Sequence, residues 1–360
     1  MDLINSTRMA AGYTVATDVS AREHLVVVVK GTFRIPSVPG ARVQLEEEQV
    51  PLVMSDVFFG EPGLSAPRYE AEYSLRKPCC DVLLNGTAYA PDGHPAERVL
   101  VGMRVGSLSK SFAVVGDRQW SVAAGVRATR ARPFVSMPLD YGRAFGGADL
   151  NHDDPAEHAA FMPNPVGRGF RKSVDAGSLD GAQLPNLEEA GVPVNDPGVA
   201  YRPMSFGPIG RHWTPRAGFA GTYDQHWQDE VFPFLPADFD DRYFQSAPAD
   251  QQVPKPSAEQ RVTLLNVTPD GRRDFLLPHF EAPVHVFTRT GGREDLIAPL
   301  DTVLLEPDLE RATLVWCIAR PLRRNIFEIE QVMVGRKGPE WWQEVERPGF
   351  PIPVVVEFSE

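Results

Sequence analysis

Proline and glycine set the first limit on this chain. It holds 34 Pro and 30 Gly in 360 residues, spread along its whole length. Proline removes a backbone donor and fixes φ, and glycine weakens both helix and strand interiors, so each is a break or a turn. No window of eighteen or so residues keeps a helical apolar stripe free of such breaks. Helix bundles and doubly wound α/β folds are thereby excluded, and short strands joined by turns remain.

The strand signal is strong at both ends. Leu25–Val29 is a continuous apolar run, as expected of a strand buried on both faces. Val50–Phe59 predicts one strand or two. Asp81–Ala90, the alternating 99–105 and Phe112–Val115 predict a three-stranded antiparallel meander, turned at Pro91-Asp92-Gly93 and at Gly106–Ser109. After 256 further hairpins are expected: Val262–Val267 with Phe275–Leu277, and Thr302–Leu305 with Thr313–Ile318. Val284–Thr288 is a further strand before Gly291-Gly292, a helical turn is expected at Trp341 and Trp342, and the last strand at Val354–Phe358.

Between these ends, 132–256 mixes closely spaced prolines with aromatics, which a disordered linker would lack. The expected fold is all-β with a few short helices: an N-terminal β module over 1–131, an irregular segment over 132–256 packed on the scaffold, and a C-terminal β module over 257–360. The modules are expected to be sandwich-like. One short helix is expected at 155–161, with Asp154 as N-cap and Pro155 at the first helical position.

Charge narrows the partners. The net charge of −12 opposes binding to nucleic acid phosphates. No apolar run approaches the ~20 residues of a membrane span. Met1–Thr7 has neither the basic nor the apolar region of a secretory leader, and none is expected. Three cysteines form no disulfide framework, so a reducing cytoplasm is the expected setting.

Few residues point to catalysis. His152, Asp153, Asp154 and His158 are metal-ligand types, but they also make a helix N-terminus, which is the preferred reading. His212, Asp224 and His226 sit among aromatics and read as packed, hydrogen-bonded groups. Cys79-Cys80 reads as small buried hydrophobes. There is no nucleophile elbow and no phosphate loop, and Gly167–Ser173 lacks the strand and helix that a phosphate cradle needs. No catalytic residue, cofactor or metal is expected. The enzymatic alternative is a carbohydrate-active or metal-dependent hydrolase using the His and Asp residues of the middle segment. Recognition has more to build on. Phe206, Arg211, Trp213, Arg216, Tyr223 and Trp227 are the residue types that dominate binding hot spots, and they equally suit a core beneath a long loop.

Several strings recur together in a fixed order: Val29-Lys30-Gly31-Thr32-Phe33, Arg68-Tyr69-Glu70, Asn85-Gly86-Thr87-Ala88-Tyr89-Ala90-Pro91, Arg143-Ala144-Phe145-Gly146-Gly147, Asn164-Pro165-Val166-Gly167-Arg168-Gly169-Phe170, Phe206-Gly207-Pro208-Ile209 and Leu235-Pro236-Ala237-Asp238-Phe239-Asp240. In these the chain resembles domain-of-unknown-function family 2169, over about residues 20 to 320. The resemblance implies a cytoplasmic adaptor or chaperone of bacterial type VI secretion. Such a protein stabilises a secreted effector and helps load it onto a VgrG or PAAR-type spike protein. No catalytic residue carries over with it.

Overall fold

The computed structural model describes residues 1–338 except Pro215 and Ser257. The turn expected at Trp341 and Trp342 and the strand expected at Val354–Phe358 lie outside the described residues. The fold is all-β with short helical turns, as expected, and no helix among the described residues is long and apolar enough to cross a membrane.

Three sheets carry the structure. The seven-stranded sheet runs Gln252–Val253, Cys80–Leu84, Leu300–Glu306, Arg311–Pro321, Glu23–Arg34, Ala10–Thr17, with Gln44–Leu45 beside the end of Glu23–Arg34. The five-stranded sheet runs Leu187–Glu188, Leu108–Val115, Arg98–Val105, Gln260–Leu265, Arg272–Leu277. The four-stranded sheet runs Asp2–Asn5, Ile329–Val334, Ala282–Thr288, Arg293–Ala298. Strands from both sides of the expected boundaries at 131 and 257 therefore lie side by side. Glu23–Arg34 pairs with Arg311–Pro321 over its length, and Arg98–Val105 pairs with Gln260–Leu265.

The expected meander is corrected. Arg98–Val105 and Leu108–Val115 do form a hairpin, but Cys80–Leu84 belongs to the other sheet, parallel to Leu300–Glu306. The strand expected over 81–90 breaks at Asn85-Gly86, and Thr87–Tyr89 pairs with Ser136–Pro138 instead. The turn at 91–93 forms, with positive φ at Asp92 and Gly93, but it carries the chain between sheets. Val50–Phe59 yields only the short strand Val57–Phe58, paired with Pro67–Tyr69. The helix expected at 155–161 is a single turn, Pro155–Glu157, capped by Asp154 accepting from Ala156 N–H at 2.9 Å.

Alternation along Glu23–Arg34 explains its sequence. Leu25, Val27 and Val29 enter the main core, which joins all three sheets. Val26 and Val28 enter a second core with Leu75, Val315 and Cys317, roofed by Leu52, Tyr73 and Phe244. A strand buried on both faces needs an unbroken apolar run. Further along the second face the run turns polar at Lys30 and Thr32, and the covering segments supply partners. Lys30 pairs with Glu72 at 2.7 Å. The Gln49 amide accepts from Thr32 N–H at 2.8 Å and donates to Thr32 O at 3.2 Å, standing in for a missing strand. Buried polar groups require such partners.

Candidate functional site

The expected recognition residues begin on a segment that crosses this covered face. Phe206 anchors it, buried with its ring 4.5 Å from that of Phe112. The Phe206 carbonyl accepts from Leu84 N–H at 3.1 Å and from Gln251 Nε2 at 2.8 Å. The chain then turns tightly at Gly210, whose carbonyl accepts from Trp213 N–H at 3.1 Å. The Trp213 indole lies over Gly210, so that a Cβ there would come within 2.5 Å of it. Trp213 also meets the Tyr141 ring edge-on at 5.4 Å.

Trp213 is one wall of a groove of about 270 Å³. Facing it are Asp56, Phe58 and Pro67 from an arm formed by 54–70, with Met162 and Pro165 completing an apolar lining. The lining also includes an ion-pair network. Arg211 donates to both Asp56 oxygens, at 2.8 and 3.2 Å, and reaches Glu70 Oε1 at 2.8 Å. The same Glu70 oxygen binds Arg216, which also donates to Tyr243 O at 2.8 Å and Ile209 O at 2.9 Å. Burial pushes the Asp56 carboxyl up, but hydrogen bonds from Arg211 and Ala71 N–H outweigh it and hold it below the usual range. Burial opposes the Arg211 charge, and the Asp56 hydrogen bond with Glu70 beside it raises its pKa nonetheless. Glu70 Oε2 is buried without a hydrogen-bond partner among the described residues.

The arm also exposes apolar side chains. Leu64 is 74% exposed, and Met54, Val57 and Phe59 are open to solvent, as is Met162 at the groove. The Arg68 guanidinium stacks on Phe59 and Tyr69, 5.6 and 5.1 Å from their centroids, which holds the arm in shape.

The six sequence candidates thus divide. Phe206, Trp213 and Arg216 are buried; Phe206 lies away from the groove, while Trp213 and Arg216 reach its wall with only a small part of their surface. Arg211 is half-buried within the ion pairs. Tyr223 and Trp227 form a separate surface cluster, with ring centroids 4.7 Å apart. Phe232 extends it, 5.5 Å from Trp227, and Trp227 Nε1 donates to Phe234 O at 2.9 Å. The 54–70 arm was not among the candidates, although Arg68-Tyr69-Glu70 marked it in the sequence.

The other clusters fall into structural places. His212, Asp224 and His226 are exposed rather than packed as expected: Asp224 accepts the Trp227 N–H at 2.9 Å, and His212 lines the groove apart from it. His158 Nε2 lies 2.9 Å from His152 O. Among the described residues no three His, Cys, Asp or Glu side chains are grouped to hold a metal ion. Burial pushes the Cys80 and Cys317 thiols well above their ordinary range, which leaves them unreactive as nucleophiles. Arg168–Gly169 pairs with Phe145–Gly146, so this part of the Gly-rich loop is bound into the fold.

Sheets and groove together define an all-β protein with a largely apolar surface cleft walled in part by a half-buried ion-pair network. The chain belongs to the family described as an uncharacterized protein conserved in bacteria (DUF2169), whose model matches residues 20–317. No curated protein and no solved structure matches the chain.

Proposed function

We propose that this chain is a cytoplasmic adaptor or chaperone that holds a type VI secretion effector and passes it to a VgrG or PAAR-type spike protein. The observation that carries the reading is the Trp213 groove with the apolar arm beside it. A groove of about 270 Å³ takes one or two large apolar side chains of a partner. Clustered exposed apolar residues such as Phe59, Leu64 and Met162 mark contact surfaces rather than ordinary solvent faces. The half-buried ion pairs fix the walls in advance, which lowers the ordering cost of binding. Release then needs only a competing surface on the spike, with no nucleotide step.

The test is co-expression with the product of the adjacent effector gene. The two proteins are expected to co-purify, and deletion of this gene is expected to lower effector solubility and secretion. Met162→Glu places a charge in the apolar lining and is expected to weaken the complex by at least about tenfold, as burial of an unpaired charge would. Unchanged effector solubility and secretion on deletion would refute the proposal.

A further inference from the structure

The molecule defends most of its sheet edges. Arg272–Leu277 is covered by 40–43: Gly40 N–H donates to Asp274 O at 2.8 Å, Leu276 N–H to Ala41 O at 2.9 Å, and Val43 N–H to Leu276 O at 3.0 Å. Arg293–Ala298 carries Arg293, Glu294 and Asp295. Leu187–Glu188 and Gln252–Val253 are only two residues long. Cover, charge and shortness are the common defences against unwanted strand pairing.

Ala10–Thr17 has none of them. Its eight residues contain no charge and no proline. Its register with Glu23–Arg34 runs unbroken from Ala10↔Lys30 to Thr17↔Glu23, so no bulge bends it away. The backbone direction can be read from the next step along the ladder. Asp18 N–H donates to Arg22 O at 3.0 Å, so 18 and 22 form a hydrogen-bonded pair. In an antiparallel ladder such pairs alternate. Residues 10, 12, 14 and 16 therefore face Glu23–Arg34, while Ala11, Tyr13, Val15 and Thr17 turn their N–H and C=O outward. Leu322 N–H donates to Glu23 O at 2.8 Å, which agrees: Glu23 bonds its other neighbour and not Thr17. None of the outward groups has a hydrogen-bond partner among the described residues. Beside them Tyr13 and Val15 are 39% and 38% exposed.

We propose that this edge binds an extended segment of a partner protein, which adds to the sheet as a further strand. The segment matches residues 11–17, about seven residues or ~24 Å of extended chain. It carries β-branched, small or aromatic residues where it lies beside Tyr13 and Val15, because cross-strand apolar pairs stabilise such contacts. A second copy of this chain is the disfavoured occupant. Each copy carries −12, and like charge opposes self-association. This site is separate from the groove and does not depend on its role.

The test pans a yeast-displayed library of random nine-residue segments against the full chain, then measures binding to Val15→Pro. Proline at 15 removes an outward N–H and leaves the bonds of Thr14 and Ala16 to the sheet, and edge strands tolerate proline. Selected segments are expected to show apolar alternation. Their affinity for Val15→Pro is expected to fall at least about tenfold, the worth of one lost hydrogen bond and a displaced register. A synthetic peptide of the selected segment should slow hydrogen exchange at Tyr13, Val15 and Thr17. If Val15→Pro does not fold, the same peptide N-methylated on its edge-facing amides replaces it, and binding to the wild type should be lost. Met162→Glu should leave peptide binding unchanged, so failure here and failure of the groove reading are distinguishable. Equal binding by Val15→Pro, equal binding by the methylated peptide, or no selected segment would overturn the proposal. A wild-type dimer that Val15→Pro converts to monomer would also overturn it, since the second copy would then own the edge.

Discussion

Charged side chains in the interior set how this protein responds to pH. Lys77 lies between Asp81 Oδ2 at 2.9 Å and Thr302 Oγ1 at 2.8 Å, and Asp81 also accepts from Ser246 N–H at 2.8 Å. Asp301 is buried beside this cluster and, among the described residues, its carboxylate accepts from Thr302 Oγ1 alone, at 3.0 Å. Burial raises its pKa to about 6, and Lys77 opposes the rise without cancelling it. In the unfolded chain the carboxyl titrates near 4. Between about pH 4 and 6 the folded state therefore binds a proton that the unfolded state has released. The contribution of Asp301 to stability is fully present below about pH 4 and is lost as pH rises through about 6, a change of ~2–3 kcal/mol. Asp301→Asn keeps the acceptor and abolishes the titration. Urea unfolding should show the variant gaining ~2–3 kcal/mol on the wild type between pH 4 and pH 7. A constant difference across that range would contradict the assignment. This site was invisible in the sequence, where Asp301 is one acidic residue among many and its burial depends on strands far away in the chain.

At the scale of elements, the groove depends on a turn that admits no side chain at Gly210. The Trp213 ring fills the space a Cβ would occupy, and its Nε1 and ring carbons approach from 2.5 Å. Gly210→Ala should push Trp213 off the turn and off Tyr141, costing ~1–3 kcal/mol by overpacking and reshaping the groove wall. The measurement is the thermal midpoint together with Trp fluorescence. An unshifted midpoint and spectrum would mean that the wall yields freely. The sequence showed Gly210 and Trp213 together in an aromatic, Arg-rich stretch, and that stretch does line the groove. It did not separate the buried Phe206, Trp213 and Arg216 from the exposed Tyr223. Aromatic and Arg side chains serve core and surface by the same contacts, and only the fold decides which. Turn chemistry was more legible: Pro91-Asp92-Gly93 turns where proline and glycine predict it, because that conformation is set locally.

Across the whole molecule, strand positions were legible and strand neighbours were not. Apolar runs and alternation are local, but the partner of Glu23–Arg34 lies almost three hundred residues on, at Arg311–Pro321. Nothing in either strand names the other, since both are apolar and buried. Such pairing closes long loops before any contact rewards it, so the two ends of the chain have to fold together. The consequence is testable by cutting the chain at 131/132. In a 1–131 fragment, Glu23–Arg34 would lose Arg311–Pro321, Arg98–Val105 would lose Gln260–Leu265, and Cys80–Leu84 would lose Leu300–Glu306. Glu23–Arg34 and Arg98–Val105 would become open edges, Cys80–Leu84 would keep no strand neighbour since Gln252–Val253 is lost as well, and Val27, Val29, Val101 and Met103 would lose much of the core they share with the C-terminal strands. The fragment should therefore be insoluble or unfolded by circular dichroism and proton NMR dispersion. Intact protein should unfold in one cooperative transition, with fluorescence and circular dichroism midpoints coinciding. A soluble 1–131 fragment with its own sharp transition would show instead that the N-terminal strands form an independent module, with the shared sheets assembled by docking.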